Sequence, residues 1–268
     1  MFKFDVGFIG GGNMGSAIAE VLINSKAVEA QKVLVCDQDQ SKLNLFSQKN
    51  CGTTNEIDDV VQNCRVAFVA VKPQSFDSLK EKFGKNVKCE AIISIMAGKK
   101  LGYVKEVVNN NGCAIIRIMP NLACRYGEGV TLAQLTDVSG ELKEYIKNLL
   151  QKLGVLIEIE EKDFNFCSSV SGCGPAFFFE YFRYFYKQCI EYGLSEQDAR
   201  NMVLQTACGS AKLAMNSTES FEKLISNVCS KGGSTIEGVK VIETSDMEQI
   251  VKNTLWASKK RNDELEQV

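Results

Sequence analysis

Six short apolar runs rich in Val, Ile and Phe punctuate the first 160 or so residues: "DVGFIG", "KVLVCD", "RVAFVAV", "EAIISIM", "CAIIRIM" and "GVLIEIE". Each has the length and the β-branched content of a buried strand. Longer amphipathic segments, such as residues 14–25 and 139–153, separate them with helical spacing. Strands that alternate with helices bury both faces of a sheet, because each crossover helix packs back onto it. The pattern therefore predicts an α/β fold, a doubly wound, mainly parallel sheet. Beyond about Lys162 the strand-like runs stop. "GPAFFFEYFRYFYKQCIEYG", "SEQDARNMVLQTACGSAKLAM" and "SDMEQIVKNTLWASKKRNDELEQV" read as helices, the last two opening on acidic first turns. The expected organisation is residues 1–162 as the α/β domain and 163–268 as an all-α C-terminal domain.

The first strand runs into "VGFIGGGNMG", which places G-x-G-x-x-G at Gly10, Gly12 and Gly15 between a strand and a helix. That context gives the motif its force, since the spacing alone is common. Gly10 permits a tight turn, Gly12 lets backbone approach a pyrophosphate, and Gly15 lets helix and strand pack closely. The helix start, with Asn13 and Met14 in its first turn, presents N–H donors and a positive dipole end to phosphate. Asp37 closes the second strand, where a carboxylate accepts hydrogen bonds from ribose hydroxyls and repels a 2′-phosphate. The expected cofactor is NADPH or NADH, with Asp37 tilting the choice toward NADH and Lys42 placed to soften that tilt.

The 268 residues include no histidine, which excludes Ser–His and Cys–His nucleophiles and histidine acid–base catalysis. The formal net charge of −2 offers no basic field for nucleic acid or an anionic membrane. No apolar run reaches the length of a spanning helix, and a strand begun by Asp5 leaves no room for a signal peptide. Eleven cysteines are scattered singly with no C-x-x-C pair, which reads as buried thiols in a reducing compartment rather than disulfides or a metal site. A cytoplasmic enzyme acting on a small molecule, without metal, nucleic acid or membrane partners, is the expectation.

A second glycine loop, "SKGGSTIEGVKV", occupies residues 230–241. Two glycines free the backbone to aim N–H groups at one point, and Ser234 and Thr235 lead into an apparent helix. Such a start is an anion site suited to a substrate carboxylate. It is equally a plain helix start, with Ser or Thr as N-cap and no ligand. The helix over residues 176–192 carries Phe177, Phe178, Phe179, Tyr181, Phe182, Tyr184, Phe185 and Tyr186 around most of its surface. Core packing inside one subunit is one reading; a domain of about 100 residues can hardly cover such a helix alone, which favours a subunit interface.

Four further segments join the two loops: "AVKPQ" at 70–74, "SIMAG" at 94–98, "RIMPN" at 117–121 and "SGCGPAF" at 171–177. In order and spacing the set resembles the pyrroline-5-carboxylate reductase family over residues 7–243. The resemblance implies reduction of the cyclic imine L-1-pyrroline-5-carboxylate to L-proline by hydride transfer from NADPH or NADH. It implies a Rossmann-type dinucleotide-binding domain at 1–162 and a helical substrate-binding and dimerisation domain at 163–268, giving a homodimer and, in many members, a larger ring of dimers. It further implies that Val71, Lys72 and Pro73 lie beside the nicotinamide ribose and that Ala97 and Gly98 line the nicotinamide. Met119, Pro120 and Asn121 would wall the substrate site, and Ser230, Gly232, Gly233, Ser234 and Thr235 would hold the substrate, with Thr235 catalytic. Leu122, Ala123, Cys173 and Lys231 depart from the family's usual residues around the expected substrate site.

Two rival readings accompany this one. The first is a reductase of another small cyclic imine or oxo acid on the same two-domain plan. Alcohol oxidation of the β-hydroxyacid dehydrogenase kind is disfavoured, because the helix after "SGCG" offers Phe178, Phe179 and Glu180, its first lysine being Lys187. The second is a non-catalytic nucleotide-binding sensor, which has no need of "SKGGST" or "RIMPN".

Overall fold

The computed structural model describes residues 2–76, 79, 83, 87–108 and 112–266. Eight strands form one sheet: β1 (Phe4–Ile9), β2 (Val33–Cys36), β3 (Gly52–Thr54), β4 (Cys64–Val69), β5 (Ala91–Ser94), β6 (Ala114–Pro120), β7 (Gly129–Gln134) and β8 (Gly154–Glu158). Their order is β3-β2-β1-β4-β5-β6-β7-β8, and every neighbouring pair is parallel except β6–β7. The predicted α/β, doubly wound, mainly parallel sheet is the one observed. β3 and β7 add two strands to the six expected from apolar runs. β3 has three residues, and β7 carries Thr131 and Gln134 inside the core, so neither makes a continuous apolar run.

Alternate residues of each strand feed opposite layers, as a period of two requires. Val6, Phe8, Val35, Val66, Phe68, Ile93 and Ile116 enter one core layer. There they meet Ala17, Ile18 and Leu22 of α1 (Asn13–Asn24) and Ile146, Leu149 and Leu150 of a helix at Gly140–Leu150. Ile9, Leu34, Ala67, Val69, Ile92 and Ile115 enter the other, against Ile57, Val60 and Val61 of Ile57–Asn63 and Val104, Val107 and Val108 of Leu101–Val108. Phe8 and Phe68 stack with centroids 5.0 Å apart, pinning β1 to β4. Each such fully buried side chain contributes about 1.5–3 kcal/mol of transfer free energy. In chain order, the α-helices delimited among the described residues are α1, α2 (Gln40–Ser47), α3 (Ile57–Asn63), α4 (Pro73–Phe76), α5 (Leu101–Val108), α6 (Gly140–Leu150), α7 (Phe164–Ser171), α8 (Gly174–Glu191), α9 (Glu196–Met215), α10 (Phe221–Val228), α11 (Ser234–Glu243) and α12 (Met247–Glu266).

The chain divides into two compact units, Met1–Cys173 with Ala257–Val268, and Gly174–Trp256. The first holds the sheet. The second is helical, and in it only Gly174 and Ala199 are buried. Phe178, Phe179, Tyr184 and Phe185 of α8 are each more than half exposed in the single chain. An apolar groove of about 960 Å³ runs between α8, α9, α10 and α11, lined by Phe178, Tyr181, Phe182, Leu224 and Val228. A helical unit without a dry interior of its own presents a surface for association.

All eleven cysteines are free thiols. Cys64, Cys89 and Cys113 sit at the amino-terminal edge of β4, β5 and β6, buried in the second core layer. Burial pushes the Cys64 and Cys113 thiols up to about 12 and raises Cys89 as well. These are inert packing residues.

Candidate active site

Because β2, β1, β4, β5 and β6 are parallel neighbours, their carboxyl ends open on one edge of the sheet. Gly10 follows β1, Asp37 follows β2, Val71 and Lys72 follow β4, Ala97 and Gly98 follow β5, and Asn121 follows β6. The chain's crossovers diverge at β1 and β4, and ligands of open α/β sheets bind at such a switch point. The expected cofactor residues of the first unit thus come together along one edge.

The three motif glycines differ in what their surroundings demand. Gly10 has φ +106°, and a Cβ there would lie 2.7 Å from the Ala70 carbonyl oxygen. A Cβ on Gly15 would lie 2.3 Å from the Gly10 oxygen. The protein's own packing requires both. A Cβ on Gly12 would meet nothing within 4 Å. Gly12 is also the N-cap of α1, so no side chain caps the first turn of this helix. Asn13 there is exposed, while Met14 packs toward Cys124, its sulfur 3.9 Å from the thiol. A helix start of this kind fits a pyrophosphate.

Asp37, just past the end of β2, is fixed by backbone hydrogen bonds and a lysine. The Gly11 N–H donates to its Oδ2 at 2.7 Å, and the Asp39 N–H to Oδ1 at 2.9 Å. Lys42 Nζ lies 3.2 Å from Oδ2. Burial alone would raise the carboxyl's pKa. The two backbone N–H bonds and the Lys42 ammonium outweigh it and hold Asp37 below the usual carboxylate range. Its contribution to folding is therefore complete above the ordinary value of 3.8 and disappears as pH falls through the lower folded value.

Val71 is half-buried and Lys72 exposed ahead of α4, which begins at Pro73. Ala97 is exposed, and Gly98 takes a left-handed turn at φ +70°. Pro120 and Asn121 are buried and Met119 is half-buried. Asn121 Nδ2 donates to the Ser171 carbonyl at 3.0 Å, whereas its Oδ1 is buried without a hydrogen-bond donor among the described residues. A Cβ on Gly172 would crowd the Ser168 carbonyl oxygen at 3.0 Å, while Met119 Cγ, at 3.7 Å, would be in ordinary contact. Of the departing residues here, Leu122 is 58 % exposed.

The second glycine loop belongs to the helical unit. Gly232 turns left-handed at φ +71°, and the Gly233 N–H donates to the Ser230 carbonyl at 3.0 Å. Gly233, not Ser234 or Thr235, is the N-cap of α11, and no side chain caps the helix. The simple Ser/Thr cap is thereby set aside, leaving the first-turn amides available to an anion. Ser230, Lys231, Gly232, Ser234 and Thr235 are exposed, and Thr235 also reaches the mouth of the apolar groove.

Sequence reasoning assigned no role to Arg117, Glu161 or Glu266. Arg117 lies on β6 within "RIMPN", only 1 % exposed, with Glu161 at 3.4 Å, Glu266 at 2.9 Å and the Phe164 ring 4.2 Å from its guanidinium carbon. An arginine inside the apolar run "CAIIRIM" was the available signal, since a charge at a core position needs buried partners.

Among the described residues, no helix is long and apolar enough to cross a membrane. Residues 161–265 match the family model described as pyrroline-5-carboxylate reductase dimerisation, and residues 5–98 match that of NADP oxidoreductase, coenzyme F420-dependent. The chain is 34% identical to a pyrroline-5-carboxylate reductase of Aquifex aeolicus, over 89% of this chain and 88% of that one. A structure of Plasmodium falciparum pyrroline carboxylate reductase with NADP bound superposes with TM-score 0.84 at 25% identity, covering 99% of each chain. A structure of a pyrroline-5-carboxylate reductase from Coxiella burnetii gives 0.88 at 25% identity over 98% of each. Two glycine loops, each opening an uncapped helix, and likeness along nearly the whole length lead to one assignment: the chain belongs to the pyrroline-5-carboxylate reductase family.

Proposed function

We propose that this protein reduces L-1-pyrroline-5-carboxylate to L-proline with NAD(P)H, the last reduction of proline biosynthesis. The observation that carries the reading is the uncapped, glycine-led start of α11, a site for a small carboxylate distinct from the pyrophosphate site at α1. Residues 1–162 serve as the dinucleotide-binding domain and 163–268 as the substrate-binding and dimerisation domain. The dimerisation model's match from residue 161 supports that division.

In this reading Gly10, Gly12, Asn13, Met14 and Gly15 seat the pyrophosphate, and Asp37 holds the adenosine ribose. Val71, Lys72, Pro73, Ala97 and Gly98 border the nicotinamide half. Bound NAD(P)H supplies the hydride. The chain has no histidine to act as an acid, and none is needed, because an imine can arrive protonated from water. The protein binds, orients and excludes water. The amides of Ser234 and Thr235 bind the substrate carboxylate, supported by Ser230, Gly232 and Gly233, and Thr235 Oγ1 hydrogen-bonds the ring nitrogen. Met119, Pro120 and Asn121 shape the wall, where the unpaired Asn121 Oδ1 is an acceptor for a substrate or cofactor N–H.

Loss of nicotinamide absorbance on mixing the protein with NADH and pyrroline-5-carboxylate tests the proposal. Oxidation with a related imine or oxo acid but not with this one would move the assignment to the sibling activity, for which exposed Leu122 and Lys231 are the local grounds. No oxidation with any of them would leave a nucleotide-binding sensor.

Asp37 is proposed to favour NADH. A 2′-phosphate would meet its carboxylate, and Lys42, already engaged with Asp37, offsets only part of that repulsion. Asp37→Ser is expected to shift the ratio of kcat/KM values toward NADPH by about tenfold, corresponding to ~1.4 kcal/mol. Parallel kinetics with the two cofactors measure it, and an unchanged ratio would remove Asp37 from the selection. The exposed aromatics of α8 and the groove beside them support a homodimer through the helical domain, with larger rings built from dimers. Free thiols throughout suit the cytoplasm.

A further inference from the structure

The last turn of α12 returns to the sheet unit and closes on the loop that follows β5. Gly98 meets it so closely that a Cβ would lie 3.1 Å from both Cβ and O of Leu265. Two sets of contacts hold the turn there. Glu266 lies 2.9 Å from Arg117 Nη2 and 3.6 Å from Lys100 Nζ. Asn262 Nδ2 donates to the Asn165 carbonyl at 3.1 Å, and Asn165 Nδ2 donates to Asp263 Oδ1 at 2.9 Å. Glu161 completes the frame, with Oε1 accepting the Leu101 N–H at 2.7 Å at the start of α5 while also facing Arg117. The loop of residues 95–100 is thus bracketed by α5 on one side and the end of α12 on the other, with buried Arg117 between the two carboxylates.

This arrangement is costly. Arg117 and Glu266 have side chains only 1 % and 9 % exposed. Glu266 Oε1 faces the guanidinium outside hydrogen-bonding alignment, and Arg117 Nε has no acceptor among the described residues. A buried charge network with open valences is poor value for stability alone, since apolar residues of similar volume would hold the helix as well. What it does is set position. The loop it clamps lies at the carboxyl edge of β5, the strand next to β4 and two from the glycine loop.

We propose that Glu266 is a positioning residue for the nicotinamide half of the cofactor: through Arg117 and Lys100 it presses Leu265 onto Gly98 and fixes the height of Ala97 and Gly98. The inference rests on the reading of this edge as the NAD(P)H site. Glu266 touches neither cofactor nor substrate in this role.

The test compares two ligands that share the adenosine diphosphate ribose part and differ in the nicotinamide. Binding of NADH and of ADP-ribose is measured by titration for the parent, Glu266→Gln and Glu266→Asp. Glu266→Gln is expected to weaken NADH by about five- to tenfold and ADP-ribose by less than twofold, with partial recovery in Glu266→Asp. Its KM for the imine at saturating NADH should stay within about twofold of the parent. Lys100→Met, an exposed change, should move NADH in the same direction by about twofold, which keeps the test open if Glu266→Gln fails to fold. Equal losses of both ligands, or of neither, would overturn the positioning role. A parent protein that binds neither ligand would overturn the cofactor reading, and this inference with it.

Discussion

Replacing Thr235 by alanine is expected to lower kcat/KM for the imine by roughly ten- to a hundredfold while leaving the NADH dissociation constant unchanged. Thr235 sits in the first turn of α11, past the left-handed Gly232 and the N-cap Gly233, where no side chain competes for the first-turn amides. Its hydroxyl is the group placed to read a protonated ring nitrogen beside the carboxylate. A hydrogen bond involving a charged partner contributes about 1.5–3 kcal/mol, which sets the size of the loss. Thr235→Ser keeps the hydroxyl and should keep most of the activity. Thr235 is exposed in the single chain, so the alanine variant should melt within a degree or two of the parent. Parent-like kinetics in Thr235→Ala would remove the residue from the site, and a rise in the NADH dissociation constant would mean that the loop serves the cofactor.

The second large effect separates two glycines of one motif. Gly15→Ala would push a methyl to 2.3 Å from the Gly10 carbonyl oxygen and 3.0 Å from Ala70 Cβ, so helix α1 or the strand ends must move. Overpacking of this kind costs about 1–3 kcal/mol, and melting temperature and NADH affinity should fall together. Gly12→Ala meets no protein atom within 4 Å, and its methyl would stand in the space proposed for the pyrophosphate. That variant should melt like the parent and lose NADH affinity by tenfold or more. Calorimetry beside a cofactor titration distinguishes the two. A Gly12→Ala protein that binds NADH normally would place the pyrophosphate elsewhere.

These contrasts also show which features a sequence can disclose. Gly10, Gly12 and Gly15 were readable because the motif is local: a strand, a turn and a helix start within a dozen residues. The six strands with continuous apolar runs were readable for the same reason. β7 was not, because Thr131 and Gln134 stand in its core and their polarity hides the strand until pairing with β6 is known. β3 was too short to register. The aromatic content of α8 announced an unusual helix, and only the structure adds that the helical unit buries almost nothing of its own. Arg117, Glu161 and Glu266 lie far apart in the chain: the arginine inside an apolar run announces that buried partners are needed, and nothing local says which carboxylates supply them. The reading of α11 had an ambiguity that local residues could not remove. Ser and Thr after Gly-Gly are good caps on paper, yet the backbone makes Gly233 the cap and leaves both hydroxyls for other partners.

The thiols carry a practical consequence. Six cysteines are buried, all in the sheet unit, while Cys208, in the helical unit, is exposed. Alkylation requires a thiolate in contact with solvent, a condition that Cys64 and Cys113, raised to about 12, meet only when the sheet unit opens. Mass increments at the buried thiols after a brief pulse of reagent therefore count opening events of the sheet unit, and those at Cys208, which lines the groove proposed for the partner subunit, count exposure of that face. The chain carries its own calibrated clock for local unfolding, readable in the native protein without a probe being introduced.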